Sequence, residues 1–324
     1  MQVGQARKIV VLGTGGTIAG TSEVAGANVG YTAAQIGVAQ LLAALPGLER
    51  AAGGAELAAE QVAQIDSKDM THAVWARLAA RCAALLADAS VAGIVVTHGT
   101  DTLEETAWLL HSVLPADKPV VLTCAMRPAT ALAPDGPQNL LDAVALAAEP
   151  SARGVLVAAA GVVHGAREVS KVHPLRLDAF DSGDTGPLGW VEAGRVRWAH
   201  GRAPAAQAPA HGALAQALEA RPWPRVEIVL SHAGADGALV DWLVQGGAAG
   251  IVVAATGNGT LHAALEQALA RAAAAGVRVR VASRCPQGRM LALQDARWQD
   301  ADGLSPVKAR VSLLLELLAA TMPG

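Results

Sequence analysis

The sequence predicts an α/β fold, with a larger N-terminal parallel-sheet domain followed by a smaller C-terminal α/β domain. In the first part of the chain, short runs rich in valine and isoleucine alternate with longer segments whose apolar residues recur at helical spacing. The second part repeats the same alternation on a smaller scale. Alternating strands and helices are typical of βαβ units, which form parallel sheets. We expect domains at 1–200 and 225–324, joined by a linker at 201–224 rich in proline and alanine.

In the first domain, each element has its own local signal. The apolar runs that predict strands lie near 8–12, 93–97, 119–125 and 154–160. One helix face is predicted by the spacing of Val74, Leu78, Cys82, Leu85 and Leu86. Residues 102–105 (TLEE) have the form of a capping box that opens the next helix. Residues 188–198 indicate a short hairpin that turns near 192–195.

The second domain is predicted to contain three strands and three helices. The strands are 226–231, 250–255 and 277–283, and the helices are 236–246, 260–275 and 305–320.

Composition excludes several classes of protein. With 52% hydrophobic and 16% charged residues among 324, the chain resembles an ordinary globular protein. Its net charge is −3 and no dense run of Lys and Arg occurs, so nucleic acid is not an expected partner. The longest apolar stretches, 154–163 and 311–320, are about half the roughly 20 residues that a membrane span requires. No apolar signal segment precedes the first strand, and we predict a cytoplasmic location.

Three cysteines are present, Cys82, Cys124 and Cys285. They form no C-x-x-C pair and do not have the spacing of zinc ligands. We expect reduced thiols in the core and no disulfide framework.

Two loops rich in threonine and glycine follow predicted strands. They are residues 13–20 (GTGGTIAG) and 97–102 (THGTDT). Because reacting groups collect outside the carboxyl ends of parallel strands, the loops indicate an enzyme in which Thr14 and Thr100 are candidate hydroxyl nucleophiles. The first loop alone also fits a plain tight turn. A phosphate site is disfavoured, because the spacing matches neither G-x-G-x-x-G nor G-x-x-x-x-G-K-[ST].

Two scarce residues add to this site. Tyr31 is the only tyrosine and lies in a glycine-bearing loop just after residues 13–20. Lys171 is one of five lysines, against twenty arginines. Taken alone, Tyr31 also fits a rim aromatic and Lys171 a solvated surface lysine.

Three further groups of residues accompany these loops. They are 65–70 (IDSKDM), 125–128 (AMRP) with 135–137 (DGP), and 257–259 (GNG). Together they resemble the bacterial L-asparaginase and glutaminase-asparaginase family over essentially the whole chain. The resemblance implies an amidohydrolase that converts asparagine to aspartate and ammonia on two α/β domains. It also implies that no metal or organic cofactor is needed.

The resemblance further implies roles for individual residues. Thr14 would attack the side-chain amide, with Tyr31 beside it as proton acceptor or polariser. Thr100, Asp101 and Lys171 would form a second group. Lys171 would either take a proton from Thr100 or stay charged and orient it. Which threonine attacks first is left open.

Substrate recognition is implied in the same way. Ser67 and Asp101 match the positions that hold the α-carboxylate and α-ammonium groups, and Thr100 also contacts the substrate. Backbone N–H groups of the two loops are suitable oxyanion donors. Asn258 and Thr260 would act across an interface in a homotetramer built from intimate dimers.

The chain departs from the family pattern in places. Lys68 stands where these enzymes commonly have Gln, and Thr260 stands where asparagine-preferring members often have Asn, which leaves room for glutamine. The loop at 286–305 is shorter and lacks the family's partner-subunit glutamate, for which Gln294 or Asp295 is the expected substitute. A glutamine-preferring or other amide hydrolase and a non-catalytic amino-acid-binding relative are the alternatives.

Overall fold

The computed structural model describes residues 7–24, 26–201, 209–220, 222–291 and 297–322. The chain divides into two compact units, Met1–Glu219 and Ala220–Gly324. The first contains an eight-stranded, mostly parallel sheet and the second a three-stranded parallel sheet, so the predicted fold class is confirmed. The domain bounds given above stay a prediction, and residues 202–208 and 221 of the expected linker lie outside the described residues.

Strands of the first unit are β1 (Lys8–Gly15), β2 (Glu56–Ile65), β3 (Val91–Thr97), β4 (Pro119–Thr123), β5 (Gly154–Ala159), β6 (Val162–Gly165), β7 (Ser170–Lys171), β8 (Phe180–Asp181), β9 (Gly189–Glu192) and β10 (Arg195–Trp198). Its helices are α1 (Val38–Ala43), α2 (Leu48–Ala51), α3 (His72–Ala87), α4 (Leu103–Val113) and α5 (Gly136–Ala148). Two single 3-10 turns, Thr17–Ala19 and Ser67–Asp69, lie beside the candidate site described below.

The large sheet has the strand order β10-β9-β6-β5-β4-β3-β1-β2. Strands β2, β1, β3, β4 and β5 run parallel, and β6, β9 and β10 continue the sheet in antiparallel pairs. Gly13 of β1 is paired with Thr97 of β3. The loops that follow β1 and β3 therefore leave the same edge of the sheet as direct neighbours.

All four strands predicted in the first unit are present, as is the 188–198 hairpin, now β9 and β10. The five apolar residues assigned to one helix face are all buried on α3. Strand β2 was not predicted, because it lies at the edge of the sheet and mixes charged and polar residues such as Glu56, Glu60 and Gln61 into its sequence.

Helix α4 begins at Leu103, but the Thr102 side-chain bond of the predicted capping box at 102–105 is wrong. Thr102 occupies the N-cap position, but its side chain makes no capping hydrogen bond. Its hydroxyl instead donates to the Ser67 carbonyl oxygen at 2.8 Å. A tertiary contact thus replaces the local one that the sequence pattern indicates.

Helix α5 braces the carboxyl ends of the neighbouring strands. The buried Asn139 amide donates to the Cys124 carbonyl oxygen at 2.9 Å and accepts from the Ala160 backbone N–H at 3.0 Å. The Asp135 carboxylate accepts from the backbone N–H groups of Met126 and Arg127, both at 2.9 Å. These contacts satisfy backbone groups that the ends of β4 and β5 leave without ladder partners.

The second unit contains β11 (Val226–Leu230), β12 (Gly250–Ala255), β13 (Arg278–Ser283), α6 (Ala238–Gln245), α7 (Ala263–Ala274) and α8 (Pro306–Ala319). The strands are parallel in the order β11-β12-β13. Every element predicted for this region is present, because buried strands and amphipathic helices of this length carry clear sequence periods.

The three cysteines are free thiols, with Cys82 and Cys124 buried and Cys285 exposed. Burial raises the pKa of Cys82 to about 12 and also raises that of Cys124. The expectation of a core thiol is wrong for Cys285, which follows β13 in a loop. Among the described residues, no helix is long and apolar enough to cross a membrane.

Candidate active site

Backbone contact between two glycines joins the loops after β1 and β3. A Cβ atom added to Gly16 would lie 2.4 Å from the Gly99 Cα, and Gly16 has a φ of +82°. A Cβ atom added to Gly99 would lie 2.5 Å from the Ser67 Oγ. No side chain fits at either contact, so these glycines let three chain segments approach each other directly.

Thr14 lies near the end of β1 with 2% of its surface exposed. Its hydroxyl donates to the Thr97 carbonyl oxygen on β3 at 2.9 Å. The hydroxyl is thus held at the sheet edge where the two loops leave. The Thr14 hydroxyl hydrogen is bonded to a neutral carbonyl oxygen, which cannot take up the proton. Activation of Thr14 as a nucleophile therefore requires another proton acceptor during the reaction.

Tyr31 lies against the first loop. Its hydroxyl is 2.7 Å from the Thr17 Oγ1, and its ring covers Gly20, where an added Cβ would lie 3.1 Å from the Tyr31 Cδ2. Backbone hydrogen bonds of 2.9 and 2.8 Å between Thr21 and Thr32 hold this segment in place. The single tyrosine therefore packs on the loop that follows β1.

The hydrogen bond of Tyr31 identifies a residue to which the sequence assigned no role. Tyr31 was expected beside Thr14, whereas its hydroxyl bonds with Thr17 of the same loop. Thr17 is the second threonine of the GTGGTIAG segment, and this repeated hydroxyl was the available signal.

Lys171 joins Thr100 and Asp101 into one polar group. The Lys171 Nζ donates to the Thr100 Oγ1 at 2.7 Å and forms an ion pair with the Asp101 Oδ1 at 2.6 Å. Thr100 is 6% exposed, the Lys171 side chain is 17% exposed and that of Asp101 is 52% exposed. Lys171 is thus not a solvated surface lysine, and the predicted second group is assembled in the structure.

Ser67 is held against this group. It is buried, and its Oγ accepts from the Asp101 backbone N–H at 3.1 Å. Because that bond uses a lone pair, the Ser67 hydroxyl hydrogen can still be donated to a carboxylate oxygen. The neighbouring Lys68 ammonium is hydrogen-bonded to the Asp69 carboxylate, which raises the Lys68 pKa.

His98 belongs to the second loop and its side chain is fully buried. Its Nδ1 is 2.7 Å from the Gly99 carbonyl oxygen, and its Nε2 is 2.9 Å from the Thr106 Oγ1. Thr106 also accepts from the Trp75 Nε1 at 2.8 Å. Since a carbonyl only accepts, Nδ1 carries the hydrogen and Nε2 accepts from Thr106. Burial lowers the His98 pKa to about 4.

Two further candidates, Asn258 and Thr260, lie in the second unit, in the turn after β12. The Thr260 Oγ1 is 2.9 Å from the Thr256 Oγ1 and donates to the Thr256 carbonyl oxygen at 3.1 Å. The Asn258 Oδ1 accepts from the Leu291 backbone N–H at 2.7 Å. Both side chains therefore shape this exposed turn. Gln294 and Asp295 lie outside the described residues.

Two family models together match most of the chain. Residues 8–204 match the family described as "Asparaginase, N-terminal". Residues 225–323 match the "Glutaminase/Asparaginase C-terminal domain".

Individual relatives are similar along nearly the whole chain. L-asparaginase 2 of Escherichia coli is 38% identical, and the alignment covers 97% of this chain and 90% of that protein. Glutaminase-asparaginase of Pseudomonas fluorescens is 37% identical, with 95% and 86% covered. The crystal structure of probable cytoplasmic L-asparaginase from Campylobacter jejuni superposes with a TM-score of 0.88 at 38% identity, covering 96% of this chain and 95% of that one.

We expect burial of neutral His98 to make folding stability depend on pH. The unfolded state binds a proton near pH 6.5, whereas the folded state binds it near pH 4. Stability contributed by neutral His98 is therefore complete above pH 6.5 and falls as the pH drops toward 4. Between pH 7 and 5 the loss is about 2 kcal/mol. In urea titrations at both pH values, His98→Asn should lose less stability than the parent by this amount. An equal loss in the two proteins would contradict the assignment.

We also expect Gly99→Ala to destabilise the protein by about 1 to 3 kcal/mol, because the added methyl group overlaps the buried Ser67 side chain. Gly37→Ala is the matched control, since Gly37 has a φ of −70° and an added Cβ there meets no atom closer than 3.9 Å. Urea unfolding measures both changes. Similar stabilities for the two variants would show that the loops tolerate separation.

Proposed function

This chain belongs to the asparaginase family, and on that premise we propose that it hydrolyses L-asparagine to L-aspartate and ammonia. One observation carries the proposal beyond similarity. The Lys171 ammonium contacts Thr100 and Asp101, and these two residues lie on a loop that packs backbone to backbone against the loop bearing Thr14. Two hydroxyl groups, a cation and a carboxylate are thereby gathered at one edge of the sheet, as amide hydrolysis requires.

Thr14 is the nucleophile in this proposal. Its Oγ attacks the side-chain amide carbon, the carbonyl oxygen becomes an oxyanion, and the C–N bond then breaks as ammonia leaves with an added proton. Water next attacks the resulting ester and releases aspartate. Thr14 is suited to this role because it is buried and held at the strand end, with Thr17 in the same loop and Tyr31 hydrogen-bonded to Thr17. General-base assistance is worth roughly 10² to 10⁴ in rate.

Thr100 and Lys171 transfer protons and orient the reacting groups. In the resting arrangement, Lys171 donates to Thr100 and is paired with Asp101. The contact from Thr100 to the Asp101 Oδ1 is 3.5 Å and therefore weak. This arrangement supports a charged Lys171 that orients Thr100 toward water or substrate. A proton relay through Lys171 requires the ion pair to change first.

Substrate binding uses the groups beside this pair. The Ser67 hydroxyl donates to the α-carboxylate, and the Asp101 carboxylate accepts from the α-ammonium, with Thr100 close to the reacting amide. Backbone N–H groups of the two loops stabilise the oxyanion, and one such donor is typically worth about 10² to 10³ in turnover. The exposed half of the Asp101 side chain leaves it accessible to an ammonium group.

Glutamine is a second proposed substrate. The relative from Pseudomonas fluorescens is named a glutaminase-asparaginase. In this chain the Thr260 hydroxyl is hydrogen-bonded to Thr256 within its own turn. The short Thr260 side chain therefore leaves room for the extra methylene group of glutamine. One methylene is worth only about 1 to 3 kcal/mol of discrimination, which makes mixed specificity easy to produce.

The proposed assembly is a homotetramer of intimate dimers, in which Asn258 and Thr260 serve a neighbouring subunit. The proposed location is the cytoplasm. The related structure from Campylobacter jejuni is described as a probable cytoplasmic L-asparaginase, whereas a relative from Haemophilus influenzae is named a probable L-asparaginase, periplasmic.

Ammonia release from purified protein tests the proposed activity, with L-asparagine and L-glutamine supplied separately. We expect release from asparagine, and a loss of at least about 10³-fold in Thr14→Ala and in Thr100→Ala without a change in circular dichroism. Activity that persists in Thr14→Ala would show a contaminant or a different nucleophile. Absence of release from either amide by the parent protein would contradict the proposal.

The order of attack is tested in the same samples. If Thr14 attacks first and Thr100 serves deacylation, Thr100→Ala should release one equivalent of ammonia and retain one β-aspartyl group, seen by intact-protein mass spectrometry. An adduct on a protein that lacks Thr14 would assign the first attack elsewhere.

We expect separated monomers to be inactive, because the site of each monomer would lack Asn258 and Thr260 of a neighbouring subunit. Size-exclusion chromatography over a range of protein concentrations, with activity measured in each fraction, checks this. Full specific activity in a monomeric fraction would overturn the shared-site arrangement.

A further inference from the structure

Lys171 is carried by a strand with little support of its own. Strand β7 is two residues long, and among the described parts of the chain it pairs only with β8, a strand of the same length. An isolated two-stranded ribbon is marginally stable at best. Since catalytic groups must be held within about 0.5 Å of their working position, the ribbon alone is a poor support for the Lys171 ammonium.

A carboxylate from another element supplies the missing support. The Glu104 Oε2 accepts from the Ser170 hydroxyl, and its Oε1 accepts from the Lys171 backbone N–H, both at 3.2 Å. The next N–H along the chain, that of Val172, donates instead to the Ala179 carbonyl oxygen at 2.8 Å. Successive N–H groups of an extended segment point to opposite sides. The Lys171 N–H group therefore faces away from β8 and toward Glu104.

Glu104 connects the strand that carries Lys171 with the loop that carries Thr100 and Asp101. It lies in the first turn of α4, directly after the loop that carries Thr100 and Asp101. The backbone of Lys171 is therefore tied to the element that presents Thr100, and the Lys171 Nζ reaches the Thr100 Oγ1 at 2.7 Å. A carboxylate in the first turn is also favourable to the helix dipole, so α4 keeps it there at little cost.

We propose that Glu104 is a positioning residue for the reaction, which fixes β7 against α4 so that the Lys171 ammonium stays within hydrogen-bond distance of Thr100. The inference rests on the proposed function, because it requires Lys171 to act on Thr100. Loss of the carboxylate leaves the Ser170 hydroxyl and the Lys171 N–H without this acceptor and allows β7 to shift. A displacement of about 1 Å at a reacting group can cost about 10²-fold in rate.

Steady-state kinetics with L-asparagine tests the inference in three variants and the parent. Glu104→Ala removes both acceptor oxygens and should lower kcat about 10- to 100-fold. KM should change by less than about twofold, because the Ser67 hydroxyl is held by the Asp101 backbone N–H and not through Glu104. Glu104→Gln keeps one acceptor oxygen and should have an intermediate kcat. Glu105→Ala removes the same charge from the same helical turn but leaves both Glu104 oxygens in place, and it should lower kcat less than Glu104→Ala does.

Amide hydrogen exchange supplies a readout that does not depend on activity. The Lys171 N–H should exchange faster in Glu104→Ala than in the parent, with no change in Glu105→Ala. Parental kcat in Glu104→Ala, an equal kcat loss in Glu104→Ala and Glu105→Ala, or unchanged Lys171 exchange would overturn the inference.

Lys171→Met separates this inference from the proposed function. If Lys171→Met loses activity while Glu104→Ala keeps it, only the inference on Glu104 is wrong. If Lys171→Met keeps the parental kcat, the proposed role of Lys171 and the inference both fail.

Discussion

The contact between Gly16 and Gly99 is the constraint on which the rest of the site depends. Thr14 and Thr100 belong to different loops, and a shared reaction requires these loops to approach within backbone contact. Any side chain at Gly16 would meet the Gly99 backbone, and any side chain at Gly99 would meet Ser67. Parallel pairing of β1 and β3 brings the loops to the same edge, and the absence of Cβ atoms then closes the remaining gap.

Around this contact, hydrogen bonds fix the position of each reacting group. The Thr14 hydroxyl is bonded to the Thr97 carbonyl, and the Thr102 hydroxyl to the Ser67 carbonyl. In the second loop, the neutral His98 imidazole holds the Gly99 carbonyl from inside the core. The site is therefore built mostly on short polar contacts between strand ends, and its lysine is aligned through a carboxylate of α4.

The sequence predicted those features that have a local signal. Buried strands such as β3, and helix α3 with its apolar face, follow from the spacing of apolar residues alone. Thr14 and Thr100 could be identified because each lies in a threonine- and glycine-rich loop directly after a predicted strand. Strand β2, the Thr17–Tyr31 hydrogen bond and the support of Lys171 by Glu104 depend on contacts between distant segments, 14 and 67 residues apart in the last two cases. Such contacts leave no periodic pattern in a single sequence.

A crystal structure of the protein with L-aspartate, the product of asparagine hydrolysis, would show whether the two loops form one catalytic site. We expect the α-carboxylate to lie on the Ser67 hydroxyl, the α-ammonium on the Asp101 carboxylate, and the side-chain carboxyl group between Thr14 and Thr100. Aspartate bound with its side-chain carboxyl group away from both threonines would contradict the claim that these two loops form one catalytic site.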